Sequence, residues 1–234
     1  MKRVVLKLSG EALSENGVGI CAANVKKIAK EVKDLYDQNV EMGIVVGAGN
    51  IWRGRDAKEN EMERANADYM GMLGTVLNSL ALANALENFG LKTRTMSALH
   101  VSNVVEPYNR RNALESLNRG EIVIFAGGTG HPFFSTDTTS ALRAAEINAE
   151  LILMAKNGTD GVYDSDPRSN PNAKKYTQMT FDEITNKHLK VMDSTAATLC
   201  SENNINIIVF DMNVSGNIAK AINHPEIGTL ITKK

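Results

Sequence analysis

Four glycine-bearing stretches punctuate this chain, and each follows an apolar run that reads as a strand. They are Lys7-Leu8-Ser9-Gly10, Gly47-Ala48-Gly49-Asn50-Ile51-Trp52-Arg53-Gly54, Gly127-Gly128-Thr129-Gly130 and Asp160-Gly161-Val162-Tyr163-Asp164-Ser165-Asp166-Pro167. Loops of this kind set backbone N–H groups at a sheet edge or helix N-terminus, where they can hold phosphate oxygens. One alone would be a plain turn, since glycine is the default turn residue. Four on one chain, with Lys7 and Arg53 among them, point to a site for two phosphate-bearing molecules and to phosphate transfer.

The periodicity between these loops alternates. Residues 4–8, 42–46, 92–96, 122–126, 151–154, 205–210 and 228–231 read as strands, and the run at 122–126 is continuously apolar, as in a parallel sheet covered on both faces. Helices are expected over 22–38, 61–89 with Gly90 just past its end, 109–119, 135–148, 193–202 and 218–222. Residues 164–177, with Pro167 and Pro171, read as a loop or hairpin. The expected fold class is therefore α/β, a three-layer α/β/α sandwich with a mostly parallel central sheet, built as one domain over residues 1–234. Ligands of such a sheet sit beyond the carboxyl ends of its strands, where all four glycine loops fall.

Composition mainly excludes. Of 234 residues, 43% are hydrophobic and 23% charged, which is ordinary for a globular chain. A net charge of −1 gives no global attraction to nucleic acid or to an anionic membrane, so phosphate binding has to be local. Cys21 and Cys200 are far apart and make no disulfide or zinc pattern; both read as buried apolar fillers. The N-terminal apolar stretch is too short for a secretory signal, and no run approaches the roughly 20 apolar residues of a membrane span, so a cytoplasmic protein is expected.

Better-known phosphate fingerprints fail. Gly-x-x-x-x-Gly-Lys-[Ser/Thr] is absent, and Trp52 stands where a dinucleotide fold needs its third small residue. Lys7 is more pointed, because an ammonium in an otherwise apolar strand is costly to bury without an anion, unless it sits solvated at the strand's end. Arg53 is suited to a phosphate, or else to a surface ion pair. Ser135-Thr136-Asp137 opens a helix, where capping and chemistry are compatible. The apolar run Leu73, Leu77, Leu80 and the methionines Met62, Met70 and Met72 read as core or subunit interface, and His100, His131, His188 and His224 form no ligand spacing.

Together, Lys7-Leu8-Ser9-Gly10-Glu11-Ala12-Leu13, the Gly-Ala-Gly-Asn-Ile-Trp-Arg-Gly of 47–54, the Gly-Gly-Thr-Gly-His-Pro-Phe-Phe-Ser-Thr-Asp of 127–137 and the Asp-Gly-Val-Tyr-Asp-Ser-Asp-Pro of 160–167 closely resemble the uridylate branch of the amino acid kinase family, over essentially the whole chain. The resemblance implies transfer of the ATP γ-phosphoryl group to UMP, with Mg2+ accompanying ATP and held mainly through its phosphates rather than by protein ligands. It implies catalytic roles for Lys7, Asp137 and Arg53. It assigns ATP to Lys7, Leu8, Ser9, Gly10, Gly49, Arg53, Asn157, Tyr163 and Asp166. UMP falls to Ala48, Asp68, Thr129, Gly130, His131, Pro132, Phe133, Phe134, Ser135 and Thr136, with Asp68 as the ribose carboxylate. The N-terminal part would mainly bind UMP and the C-terminal part ATP. The resemblance implies a homo-oligomer, typically a hexamer, often activated by GTP and inhibited by UTP, and no nucleic-acid or membrane partner.

Three departures stand out. Ala48 replaces a second glycine, which a methyl permits only at negative φ. His131 replaces a more usual Asn of the uracil loop, and the segment around Lys156 and Asn157 varies in length among members. Two other readings stay open at this point: a relative acting on another small phosphate or carboxylate, and a regulatory protein that binds UMP or UTP without turnover.

Overall fold

Strand parity decides which side chains of this sheet reach which layer. The structure, a computed structural model, describes residues 2–53, 61–167, 169–187, 189 and 191–233, so Gly54 and His188 lie outside the described residues. In chain order the elements are β1 (Lys2–Leu8), α1 (Ala22–Tyr36), β2 (Val40–Val46), α2 (Arg64–Glu87), β3 (Thr93–Ser97), β4 (Glu106–Pro107), α3 (Arg110–Asn118), β5 (Ile122–Ala126), α4 (Thr136–Glu146), β6 (Leu151–Lys156), β7 (Val162–Tyr163), β8 (Lys175–Tyr176), β9 (Gln178–Thr180), α5 (Phe181–Asn186), α6 (Ser194–Glu202), β10 (Asn206–Asp211), α7 (Asn217–Lys220) and β11 (Thr229–Thr232).

Nine strands form one sheet in the order β4-β3-β5-β2-β1-β6-β10-β11-β9, and β7 pairs with β8 in a small hairpin inside the expected 164–177 region and its flank. Every pairing in the large sheet is parallel except β10 with β11. The chain leaves β1 toward β2 on one side and returns through β6 on the other, so the crevice beyond β1 and β6 is a topological switch point, where ligands of such sheets bind.

The even positions Val4, Leu6 and Leu8 join a core with α1, α2 and α7, whose members include Val32, Leu86 and Ile218. Val5 faces the other layer with Ala141 and Ala144 of α4 and Ala197 of α6. Lys7 shares the parity of Val5, and Lys156 on β6 shares that of Ile152 and Met154, so both lysines point to the layer that holds α4.

The helix ends are local in origin. Gly90 takes φ +78°, and the Leu91 and Gly90 amides donate to the Leu86 and Glu87 carbonyls, a Schellman close to α2. Ser135 caps α4 by accepting from the Asp137 and Thr138 amides, and Asn109 and Asp193 cap α3 and α6 the same way. β4, β9 and α5 were not expected from the periodicity. Two-residue β4 lies at the sheet's edge, while α5 carries a complete capping box of Thr180 and Glu183 that the sequence displays.

Two expectations need correction. Cys200 is buried, and burial first, then the nearby carboxylates Asp193 and Asp137, pushes its thiol up to about 12, as suits an inert filler. Cys21, by contrast, is only half-buried and stands at the N-cap of α1. Helix α2, 24 residues long, is apolar enough by length and composition to cross a bilayer, although no such run was expected. Half of its most apolar window is buried against α1, β3 and β5, which accounts for that apolarity as core packing.

Candidate active site

Lys7 is the penultimate residue of β1, and its ammonium lies 3.1 Å from Asp137 Oδ1, both side chains being largely buried. Asp137 reaches it from the first turn of α4, across the sheet face that parity selects. The second carboxylate oxygen stands 4.0 Å from Lys156 Nζ, which also donates to the Val191 carbonyl at 2.8 Å. One carboxylate is thus shared by two cations at the ends of adjacent strands. Lys156 was not among the expected site residues, yet the β1–β6 register aligns Lys7 with Met154 and so brings the two lysines to one place.

Burial alone would push the Asp137 carboxyl up; the charges of Lys7 and Lys156 and the Lys7 hydrogen bond outweigh it and hold the carboxyl below its ordinary value. Burial is also the largest cause lowering Lys156, opposed by Asp137 and reinforced by the Lys7 charge. A carboxyl depressed in the folded state contributes stability above its unfolded value of about 3.9 and loses it as pH falls through the folded value. Asp137→Asn is therefore expected to lower Tm at neutral pH, with the gap to the parent beginning to close below about pH 4 and closing further as pH falls through the folded value. Thermal melts from pH 7 to pH 3 test this; a gap that stays constant would mean that the ion pair is not its source.

The glycine stretches close around this triad. A Cβ on Gly10 would overlap Asn50 Oδ1 and stand 2.5 Å from the Gly47 carbonyl oxygen, so the first two loops touch through a position that only glycine fits. Gly10→Ala is expected to cost about 1–3 kcal/mol by overpacking, read as a shift in denaturation midpoint, and to slow turnover by moving the Gly47 loop. Ala48 is buried and is not among the residues with positive φ, as a methyl there requires. Gly74 of α2 makes room for it, since a Cβ there would come within 2.9 Å of the Ala48 methyl. Ser9 precedes the short 3-10 turn Gly10–Leu13, and the Leu8 side chain is core while its carbonyl accepts the Gly47 amide at 3.0 Å. A Cβ on Gly49 would meet Arg53 and Glu11 only at ordinary contact distance, 3.7 Å.

Arg53 forms an ion pair with Glu11 through Nη2 and donates from Nε to the Gly49 carbonyl at 3.0 Å. Asn157 joins the same group, its side chain 3.4 Å from Glu11 Oε2 and bonded to Asn213 at 2.8 Å. Tyr163 and Asp166 lie elsewhere. They line a cavity of about 490 Å³ with Lys156, Gly161 and Val191. The Tyr163 hydroxyl there donates to Asp160 at 2.7 Å, and Lys175 binds the other Asp160 oxygen at 3.0 Å. The three residues expected around one nucleotide are therefore split between two places, with Lys156 beside the cavity that holds Tyr163 and Asp166.

On the other side, Asp68 of α2 accepts from the Phe133 amide at 2.8 Å and is held by Arg64 Nε at 2.9 Å to each oxygen. It is largely buried, not a solvated helix-face acid. The loop it meets is tightly turned: Gly127, Gly128 and Gly130 take positive φ, as does Phe133 at +73°. Within it the Thr129 hydroxyl and the His131 backbone bond to each other, Pro132 precedes the strained residue, and Phe133 and Phe134 are exposed. Ser135 and Thr136 follow at the α4 N-terminus, Thr136 Oγ1 lying 3.5 Å from where a Gly47 Cβ would be. Ser135 and Thr138 also donate to Asp193, tying α4 to the start of α6, a tether that the residue pattern did not reveal.

A glycine-lined switch-point crevice with one carboxylate between two lysines can neutralise and align two phosphates. Comparison with known proteins gives the same class. The model of the amino acid kinase family matches residues 2–211. The chain belongs to that family. The UMP kinase of Ureaplasma parvum superposes with a TM-score of 0.95 at 41% identity, covering 99% of each chain. The UMP kinase of Bacillus anthracis does so at 0.96 and 39% identity, over 100% of this chain and 96% of that one. The fold is that of these kinases, and the chain is a kinase.

Proposed function

We propose that this kinase transfers the γ-phosphoryl group of ATP to UMP, giving ADP and UDP, a step in pyrimidine nucleotide synthesis. The observation that carries the reading is the Lys7–Asp137–Lys156 triad at the mouth of the switch-point crevice. Near-full-length likeness at about 40% identity to two UMP kinases supports it.

Phosphoryl transfer asks for alignment and charge neutralisation more than for covalent chemistry. Lys7 would neutralise charge on the group in flight, and Asp137 would hold Lys7 and Lys156 in register about it. Amides of Gly10 and Gly49 and the hydroxyl of Ser9 would receive phosphate oxygens, with Arg53 reaching them by exchanging its Glu11 partner for phosphate. Thr136 and the α4 N-terminus would hold the UMP phosphate, Asp68 its ribose, and residues 129–134 its base. Tyr163 and Asp166 suit the ATP nucleoside in the cavity beside Lys156; Asn157, beside Glu11, suits the phosphate side of the donor.

Mg2+ would enter with ATP as a partner of the nucleotide phosphates, where it would supply further charge neutralisation beside the two lysines that share Asp137. The chain would act as one domain, its N-terminal part mainly taking UMP and its C-terminal part mainly ATP. The exposed Tyr69, Met70, Leu73 and Leu77 of α2 suit a subunit contact in a homo-oligomer such as a hexamer, in the cytoplasm, with GTP and UTP as candidate effectors.

ADP release with ATP and Mg2+ against UMP, CMP, dUMP and acetylglutamate tests this. Turnover preferring UMP is the expected result. Turnover with acetylglutamate would move the substrate class, and UMP binding without turnover would make the protein a sensor.

A further inference from the structure

Helix α2 is apolar for most of its length, yet Asn78 at its centre is fully buried. A buried amide in such surroundings is costly unless it is bonded, and this one is bonded throughout. Asn78 Nδ2 donates to the Gly47 carbonyl at 2.7 Å and to Asn50 Oδ1 at 2.8 Å. Its Oδ1 accepts from Asn50 Nδ2 at 3.0 Å, and Asn50 spends its other donor on the Gly19 carbonyl at 2.7 Å. Asn50 is itself 4% exposed. The two amides form a closed reciprocal pair under the Gly47–Asn50 turn.

That turn presents its amides. No described residue accepts from the N–H groups of Ala48, Gly49 or Asn50, while the Ala48 carbonyl receives the Ile51 and Trp52 amides. In a trans peptide the N–H points opposite to the C=O, so fixing the Gly47 carbonyl on α2 aims the Ala48 N–H away from α2. Rotation of that one peptide would turn the amide off and put a carbonyl oxygen, repulsive to phosphate, in its place. Asn78 is the side chain that prevents it. The same face of α2, at helical spacing, carries Thr75, whose hydroxyl accepts from the Gly127 amide at 2.8 Å, and Asp68, which accepts from the Phe133 amide at 2.8 Å. One helix face thus holds the turn after β2 and the turn after β5.

From this geometry we propose that Asn78 is a positioning residue for phosphoryl transfer: it locks the Gly47–Ala48 peptide in the orientation that presents the turn's amides to phosphate. The inference rests on the kinase reading above, with ATP and UMP as substrates. It concerns the phosphate groups rather than the nucleoside, so its loss belongs mainly in kcat, with only a small change in UMP affinity where the Ala48 amide meets the UMP phosphate.

The test compares the parent with Asn78→Leu, Asn50→Leu and the double variant, by ADP release, UMP titration calorimetry, thermal melting and the emission of Trp52, the single tryptophan, which sits in this turn. Asn78→Leu is expected to lower kcat about 100-fold, as misplacement by an ångström can. Its UMP Kd should stay within about threefold, since each lost factor of ten would need about 1.4 kcal/mol of missing contact. Replacing both amides removes the orphaned side chain but leaves the Gly47 and Gly19 carbonyls without these donors, so the double variant should regain part of the lost Tm while kcat stays low and Trp52 emission stays shifted. Recovery of kcat together with Tm would reduce Asn78 to a packing residue and overturn the proposal. Should Asn78→Leu not fold, Asn78→Ala serves, because the methyl adds no bulk and cannot donate to Gly47; near-parent kcat there is equally fatal. An inactive parent would sink the kinase reading, whereas an active parent with equally active variants sinks only this inference.

Discussion

Replacing Lys7 by alanine is expected to cut kcat by about 10²–10³-fold, the range lost when one preorganised charge-stabilising group is removed. UMP affinity should stay nearly unchanged. Lys7 is almost fully buried near the end of a strand whose next residues open the crevice, and its one described counter-charge is Asp137. A cation so placed makes its strongest interaction when negative charge develops beside it, which for phosphoryl transfer is in the transition state. Lys7→Arg should rescue little, because the planar guanidinium is bulkier and directs its donors in a fixed fork. The variant also leaves Asp137 with only Lys156, at 4.0 Å, so its carboxyl should move back up toward the ordinary range. Steady-state ADP release read beside UMP calorimetry separates the two effects. Unchanged turnover in folded Lys7→Ala would remove Lys7 from the mechanism and leave it a structural cation.

How far this was legible follows from which interactions are local. Strand parity on β1 is a property of consecutive residues, so Lys7 could be assigned to the face opposite Val4 and Leu6 without any coordinates. The Ser135 cap and the Gly90 close are likewise set within a single helical turn. α5 was legible in principle, since Thr180 and Glu183 spell a capping box, but six residues are too few for periodicity to declare a helix. What lay beyond reach was set by register between distant strands. Lys156 reaches Asp137 because β6 pairs with β1, Asn157 sits beside Glu11 rather than with Tyr163, and the acid that Arg53 pairs with is Glu11, 42 positions earlier. Each of these depends on residues far apart in the chain. Asn78 carried a signal that went unread: an amide at a core position of an otherwise apolar helix face asks for a partner, and the partner was the glycine turn.

Asp68→Asn is expected to raise the KM for UMP by about 10–100-fold while leaving kcat close to the parent, because hydrogen bonds to a charged acceptor contribute about 1.5–3 kcal/mol. Asp68 Oδ2 already accepts from Arg64 Nε and the Phe133 amide, whereas Oδ1 accepts from Arg64 Nε alone; Oδ1 keeps a lone pair for one ribose hydroxyl, and Oδ2 can take the other when Arg64 gives up its second bond. Asparagine keeps one oxygen, enough for the Phe133 amide, so the strained turn at φ +73° should hold its shape. Asp68→Ala removes that brace as well. A bulky residue in the left-handed region costs about 1–2 kcal/mol, so the unbraced loop should relax and kcat should fall with affinity. The substrate series sharpens the assignment. The parent should prefer UMP to dUMP, since the carboxylate then loses one of two hydroxyl donors, and Asp68→Asn should flatten that preference. If Asp68→Asn raises both KM values equally and leaves the UMP-to-dUMP ratio intact, Asp68 is a brace for the Phe133 turn and the ribose is read by another group.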